Sequence, residues 1–160
     1  MPAKISLGAV AAILIMVAAI APAADAATLD DACSLLTPAQ VGAALNAPVG
    51  AGSYVTPTFK KTCTWNTNSD VTTGAPYVTL MLESSDGYQA RKETFQMRTK
   101  AVTSVSGLGD DAYYLAAGNY AALLVKKGNV AFKVAVYGRA PLEQKEAVAK
   151  TLAEQVVSKL

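Results

Sequence analysis

Histidine is absent from the 160 residues, and cysteine and tryptophan are scarce, at two and one. Without an imidazole there is no Ser-His-Asp or Cys-His nucleophile, no His-ligated zinc and no His-ligated haem, because each needs that ring as base or ligand. Two cysteines fall short of a four-thiolate metal site. Charge is thin as well: 14 Lys and Arg stand against 12 Asp and Glu, interspersed along the chain, for a net +2. So slight an excess does not indicate the clustered basic patch that neutralises many phosphates, and no nucleic-acid partner is expected.

Apolar sequence is plentiful but concentrated at the start. Lys4 is followed by Ile5 to Ile20 without a charge, then by Ala21-Pro22-Ala23-Ala24-Asp25-Ala26. A short basic start, an apolar stretch and small residues at Ala24 and Ala26 read as a secretory signal peptide cut after Ala26, with a cut after Ala23 as the rival. The run is short of the ~20 residues of a spanning helix, which disfavours a retained anchor. Cys33 lies seven positions past the preferred cut, so a lipid-anchored N-terminal cysteine is not expected. Residues 27–160 are then one exported domain, periplasmic or secreted, with no stable membrane span after cleavage. In an oxidising compartment Cys33 and Cys63 favour a disulfide. The alternatives are a redox-active pair, which usually has C-x-x-C spacing, and a bridge between two chains.

Local signals place the elements. Thr37-Pro38-Ala39-Gln40 is a capping box with proline at the first helical position, opening a helix that ends near Leu45 or Asn46. Ser53 to Thr58 reads as an edge strand limited by Pro57. Lys61 to Thr67 reads as a strand with Cys63 and Trp65 on one face, and Asn66 to Ala75 as a polar turn region. Pro76 to Ser84 alternates, with Val78, Leu80 and Leu82 on one side. A helix from an Asp86 cap to about Thr99 puts Tyr88 and Phe95 on one face and leaves Arg91, Lys92 and Arg98 largely solvated. A short strand over Val102 to Val105 precedes a turn at Gly107 to Asp111. Strands at Ala112 to Ala116, Tyr120 to Lys127 and Val130 to Tyr137 follow, joined by Gly118-Asn119 and Gly128-Asn129, a favoured hairpin dipeptide. Val130, Phe132, Val134 and Val136 share a face, with Lys133 and Tyr137 on the reverse. Pro141 opens a final helix with Leu142, Ala149, Leu152, Val156 and Leu160 as its buried stripe and Glu146 with Lys150 as an i, i+4 pair. Strands in runs with tight turns imply an α+β domain: an antiparallel sheet of about five to seven strands with helices packed on one face and one disulfide.

Three motifs carry a resemblance: Asp31-Ala32-Cys33-Ser34-Leu35-Leu36-Thr37-Pro38-Ala39-Gln40-Val41, then Cys63-Thr64-Trp65, then Gly107-Leu108-Gly109-Asp110-Asp111-Ala112-Tyr113. In order and spacing the chain resembles a broad group of bacterial, often actinobacterial, secreted proteins and lipoproteins of unknown function. The resemblance implies a disulfide between the motif cysteines and an extracytoplasmic location. It brings no reaction, cofactor or catalytic residue. The chain departs from the lipoprotein members in lacking a cysteine at the cleavage site.

Candidate chemistry is sparse. Asp110 and Asp111 are adjacent, so on a strand they face opposite ways and cannot flank one bond as acid and base; with Asp30 and Asp31 they read as turn carboxylates. No D-x-D-x-D-G calcium loop occurs, and Gly107-x-Gly109 lacks the remaining parts of a phosphate loop. Ser34 and Ser104 to Ser106 have no local base. No catalytic, cofactor-binding or metal residues are therefore expected. The aromatic set is rich in tyrosine, seven against three Phe and one Trp, and tyrosine suits surfaces that offer a ring and a hydroxyl together. Tyr113, Tyr114, Tyr120 and Tyr137 form the candidate surface, for a small ligand or an envelope protein. Lys60-Lys61 and Lys126-Lys127 serve either an anionic ligand or the solubility of strand ends. The reading that follows is an exported, non-enzymatic binding domain; the alternatives are a structural or stress-related envelope protein and a hydrolase of unfamiliar design.

Overall fold

The computed structural model describes residues 30–67, 74–99 and 102–160. The segment read as a signal peptide, with its cleavage sites, and residues 68–73 of the expected polar turn lie outside them. Asp31 opens a 3-10 turn at Ala32–Ser34 by accepting the amides of Cys33 and Ser34. Helix α1 (Pro38–Leu45) has the expected capping box: Thr37 Oγ1 accepts the Gln40 amide at 3.2 Å, and Gln40 Oε1 accepts the Thr37 amide at 2.9 Å. It ends at Asn46, whose φ of 51° is the left-handed conformation that asparagine tolerates.

Then come β1 (Ser53–Thr56), β2 (Phe59–Asn66), β3 (Tyr77–Ser84), α2 (Ser85–Thr99), β4 (Thr103–Ser104), β5 (Asp111–Ala117), β6 (Tyr120–Lys127), β7 (Val130–Tyr137) and α3 (Leu142–Val157). The seven strands among the described residues form one sheet in the order β1-β2-β3-β7-β6-β5-β4, with every neighbouring pair antiparallel. The chain leaves the middle of the sheet at β3, crosses to the far edge through α2, and meanders back until β7 closes against β3. That central pairing runs from Tyr77 opposite Tyr137 to Ser84 opposite Val130. The α+β class, the antiparallel sheet and the single disulfide agree with the expectation from sequence.

Strand alternation divides the side chains between two faces. The front face carries Val78, Leu80, Leu82, Phe132, Val134, Val136, Leu123 and Val125, all buried against Val41 of α1 and Ala149, Leu152, Ala153 and Val156 of α3. Cys63 and Trp65 enter this core together, as their spacing requires, and Cys63 is bonded to Cys33. Gly52 lies against that pair: a Cβ there would fall 2.6 Å from Cys63 Sγ and 2.8 Å from Trp65 Nε1, so no other residue fits without a shift.

The reverse face corrects part of the expectation. α1 and α3 do gather on one face, but α2 lies across the other, where Tyr88 is buried with Tyr113, Leu115, Ala122, Leu124, Ala131 and Ala135. No loop separates Ser84 from Ser85, so the helix turns directly onto the side that Glu83 occupies, and Arg91 meets the Glu83 carboxylate at 3.0 Å. Arg91 and Lys92 are accordingly half-buried and paired, not largely solvated: Lys92 pairs with Asp111 at 2.6 Å and sits over the Tyr113 ring. The N-terminal amide bond goes to Ser84 Oγ, accepting from Gly87 at 3.1 Å, rather than to Asp86. On α3, Leu142 is 45% exposed and Lys145 and Ala153 join the buried stripe. Lys150 approaches Glu154 at 3.9 Å instead of pairing with Glu146.

Candidate functional site

The four tyrosines proposed from sequence separate into three environments. Tyr113 is wholly buried beneath α2, its ring 5.2 Å from that of Tyr88. Tyr114 points the other way, into the front layer, and its hydroxyl donates to the Glu146 carbonyl of α3 at 3.2 Å. Only Tyr120 and Tyr137 stand together on the partly open reverse face, and a third ring, Tyr77, joins them.

Register builds this group. Tyr77 on β3 pairs with Tyr137 on β7, and Tyr137 pairs with Tyr120 on β6. Paired residues on antiparallel strands project from the same face at the same level, so the three rings form a row across the sheet. Tyr77 and Tyr137 are stacked nearly parallel, with centroids 4.3 Å apart and planes 3° from parallel. Tyr120 continues the row at 5.3 Å with a tilt of 33°. Burial first, and then the neighbouring Tyr77, raise the Tyr137 pKa above the ordinary phenol value, with the nearby Thr79 hydroxyl working in the opposite direction.

The row stops at a small residue. Opposite Tyr120 on β5 stands Ala117, so the side of Tyr120 away from Tyr137 meets a methyl group instead of a fourth ring. There an open cleft of about 580 Å³ begins, bounded by the Gly118-Asn119 hairpin, Tyr120, Arg139, Leu142 and Lys145. Lys145 is 5% exposed, and its Nζ has one hydrogen bond, a long one of 3.4 Å to the Gly138 carbonyl. Among the described residues neither Lys145 nor Arg139 has a carboxylate within ion-pair distance. The cleft volume lies in the range that holds a small molecule.

The carboxylates considered from sequence are engaged elsewhere. Asp31 accepts the Tyr54 hydroxyl at 2.8 and 2.9 Å besides its turn amides. Asp110 accepts the Gly128 amide at 2.6 Å, holding one hairpin to the preceding turn. Asp111 is on the reverse face with Lys92; burial opposes its charge, but the bond from Lys92 and the nearness of the Tyr88 hydroxyl outweigh it and hold the pKa below the usual carboxylate value. Lys127 Nζ donates to the Val157 carbonyl at the end of α3, at 3.0 Å, where a cation meets the negative end of the helix. Lys60 and Lys61 lie exposed on the β1–β2 hairpin. Among the described residues no group of three or more Cys, Asp or Glu could hold a metal ion, and no helix is long and apolar enough to cross a membrane.

Sequence reasoning missed Tyr77, Arg139 and Lys145. Tyr77 carried a usable signal, since it shares its strand parity with Thr79 and Met81 on the reverse face, but its alignment with Tyr137 exists only once β7 is known to return beside β3. Compared with family models, with curated proteins and with solved structures, the chain matches none.

Proposed function

We propose that this is an exported, disulfide-stapled binding domain without catalytic machinery, whose ligand places a ring on the free side of Tyr120. The observation that carries the reading is the tyrosine row that ends over Ala117 beside an open cleft. Ring faces attract other flat or CH-rich rings, and a ligand entering there extends a stack already ordered by two pairings. Export is supported by the apolar stretch from Ile5 to Ile20 and is compatible with the Cys33–Cys63 bond; the motif resemblance to secreted bacterial proteins belongs to the same reading. The engagement of Asp31, Asp110 and Asp111 in structural bonds supports a binder over a hydrolase.

The test is two-dimensional amide NMR of the protein recovered from the cell envelope, titrated with mono- and disaccharides and small aromatic acids. Saturable shifts confined to residues around Tyr120 and Asn119, lost in Tyr120→Ala and kept in Tyr113→Phe, are expected. Shifts that persist unchanged in Tyr120→Ala would overturn the site. A mass lacking residues 1–26 and two hydrogens is expected of the same sample; the full-length or reduced mass would remove the compartment from the reading.

A further inference from the structure

The cleft beside Tyr120 has a chemistry more specific than ring stacking. Its lining also includes two cationic residues, Lys145 and Arg139, the latter with its stem lying over Gly74; both come to this end of the sheet because β7 ends at Tyr137 and α3 begins at Leu142. A lysine is almost never this buried unless paired. Among the described residues Lys145 nevertheless makes only the 3.4 Å contact with Gly138, on the border of a hydrogen bond. The residue could have been one more Leu or Ala in the α3 stripe, which already includes Ala149, Leu152, Ala153 and Val156. Burying an unpaired cation costs free energy, and an anion arriving in the cleft would offset that cost.

Resting on the reading of Tyr120 as a stacking surface, we propose that the ligand is an anionic sugar: a saccharide ring stacked on Tyr120, with a carboxylate or phosphate directed to Arg139 and Lys145. The arginine fork matches either anion in two-pronged geometry, while lysine acts as a point charge. The open form of the cleft separates a sugar from an aromatic acid. A wide mouth, lined also by the polar Asn119, leaves hydroxyl groups in water, whereas a purely apolar ring gains most from enclosure. Arg139 is the exposed, recruiting cation and Lys145 the fixed one.

Calorimetric titration of the envelope-purified protein at low salt tests this with four probes: a hexuronate trimer, a hexose phosphate, the neutral hexose trimer and benzoate. At least one anionic sugar should bind roughly tenfold or more tightly than the neutral trimer, as one charge-assisted bidentate contact provides. Arg139→Gln, at an exposed position where folding is not at stake, should erase that preference while leaving the neutral affinity unchanged. Lys145→Met, which keeps the stem volume, should do the same with the disulfide mass and circular dichroism intact. The uronate and the phosphate arms distinguish the two anions. Equal affinity for charged and neutral sugars, or an Arg139→Gln variant that keeps the full preference, would overturn the anionic assignment and leave Tyr120 stacking in place. Benzoate binding without any sugar would overturn the sugar. No heat from any probe, with the Tyr120 and Asn119 amides unmoved, would overturn the stacking reading itself.

Discussion

The two faces of the sheet are built by the same alternation and put to different uses. On the front, aliphatic residues from β3, β6 and β7 meet α1 and α3 in one continuous core that also holds Trp65 and the disulfide. On the reverse, α2 covers one part through Tyr88 and charged pairs, while the row of Tyr77, Tyr137 and Tyr120 stands at the other end, partly open. Stability is concentrated where carbon meets carbon with no polar atom to satisfy. Reverse-face energetics are weaker and more conditional: Glu83 Oε1 and the hydroxyls of Tyr88 and Tyr113 are buried without a hydrogen-bond partner among the described residues. Such groups forfeit their hydration without a compensating bond.

The contrast is broken most severely from the front. Trp65→Ala should cost about 3–5 kcal/mol, the range for emptying a large buried aromatic site, measured by denaturant unfolding. Replacing Cys33 and Cys63 together by Ala should cost about 3–4 kcal/mol from the freed loop entropy, with the transition midpoint shifted and no change in the reverse-face tyrosine contacts. A loss below about 1 kcal/mol in both would erase the distinction between the faces.

Reverse-face changes should be smaller and should depend on pH. Burial above all pushes the Tyr88 and Tyr113 hydroxyls well above the ordinary phenol value. A folded-state pKa above the unfolded one stabilises the fold fully below about pH 10 and is lost as pH rises from there towards the folded value. Tyr113→Phe should therefore flatten the alkaline loss of stability while changing stability at pH 7 by less than about 1 kcal/mol, because its hydroxyl has no partner to lose. Asp111 shows the opposite sign. Its lowered pKa contributes stability above the ordinary carboxylate value near pH 4, and that contribution disappears as pH falls through the folded value. Asp111→Asn should cost about 1 kcal/mol or less, since the pair with Lys92 is partly exposed, and should make the acid limb shallower. A steeper acid limb in that variant would mean that the Lys92 pair is not what holds the carboxylate ionised.

Much of the fold was legible in local chemistry. The capping box at Thr37 and Gln40, the Gly-Asn hairpins and the alternation in β3 and β7 act over a few residues, so their signals are carried by neighbours in the chain. The site was legible only in part. Tyr120 and Tyr137 were recognised as candidates, but Tyr113 and Tyr114, adjacent in the chain, belong to opposite faces and to packing. Lys145 was hidden because a helical stripe of apolar residues does not reveal which of its positions overhangs the end of a sheet.

By itself the sequence pointed to the α+β class, to most strand and turn positions and to Cys33 with Cys63 as the one intramolecular pairing two cysteines allow, because each follows from periodicity, turn residues or elimination. Tertiary structure alone decided that β7 returns beside β3, and with it that Tyr77, Tyr137 and Tyr120 stack in register while Ala117 leaves the row open. It also decided that α2 crosses the reverse face and that Arg139 and Lys145 line one cleft. The physical reason is range: a turn or a cap is chosen by atoms a few bonds away, whereas a stacked row across three strands is chosen by the burial of the whole front core, which sets the register of every strand at once.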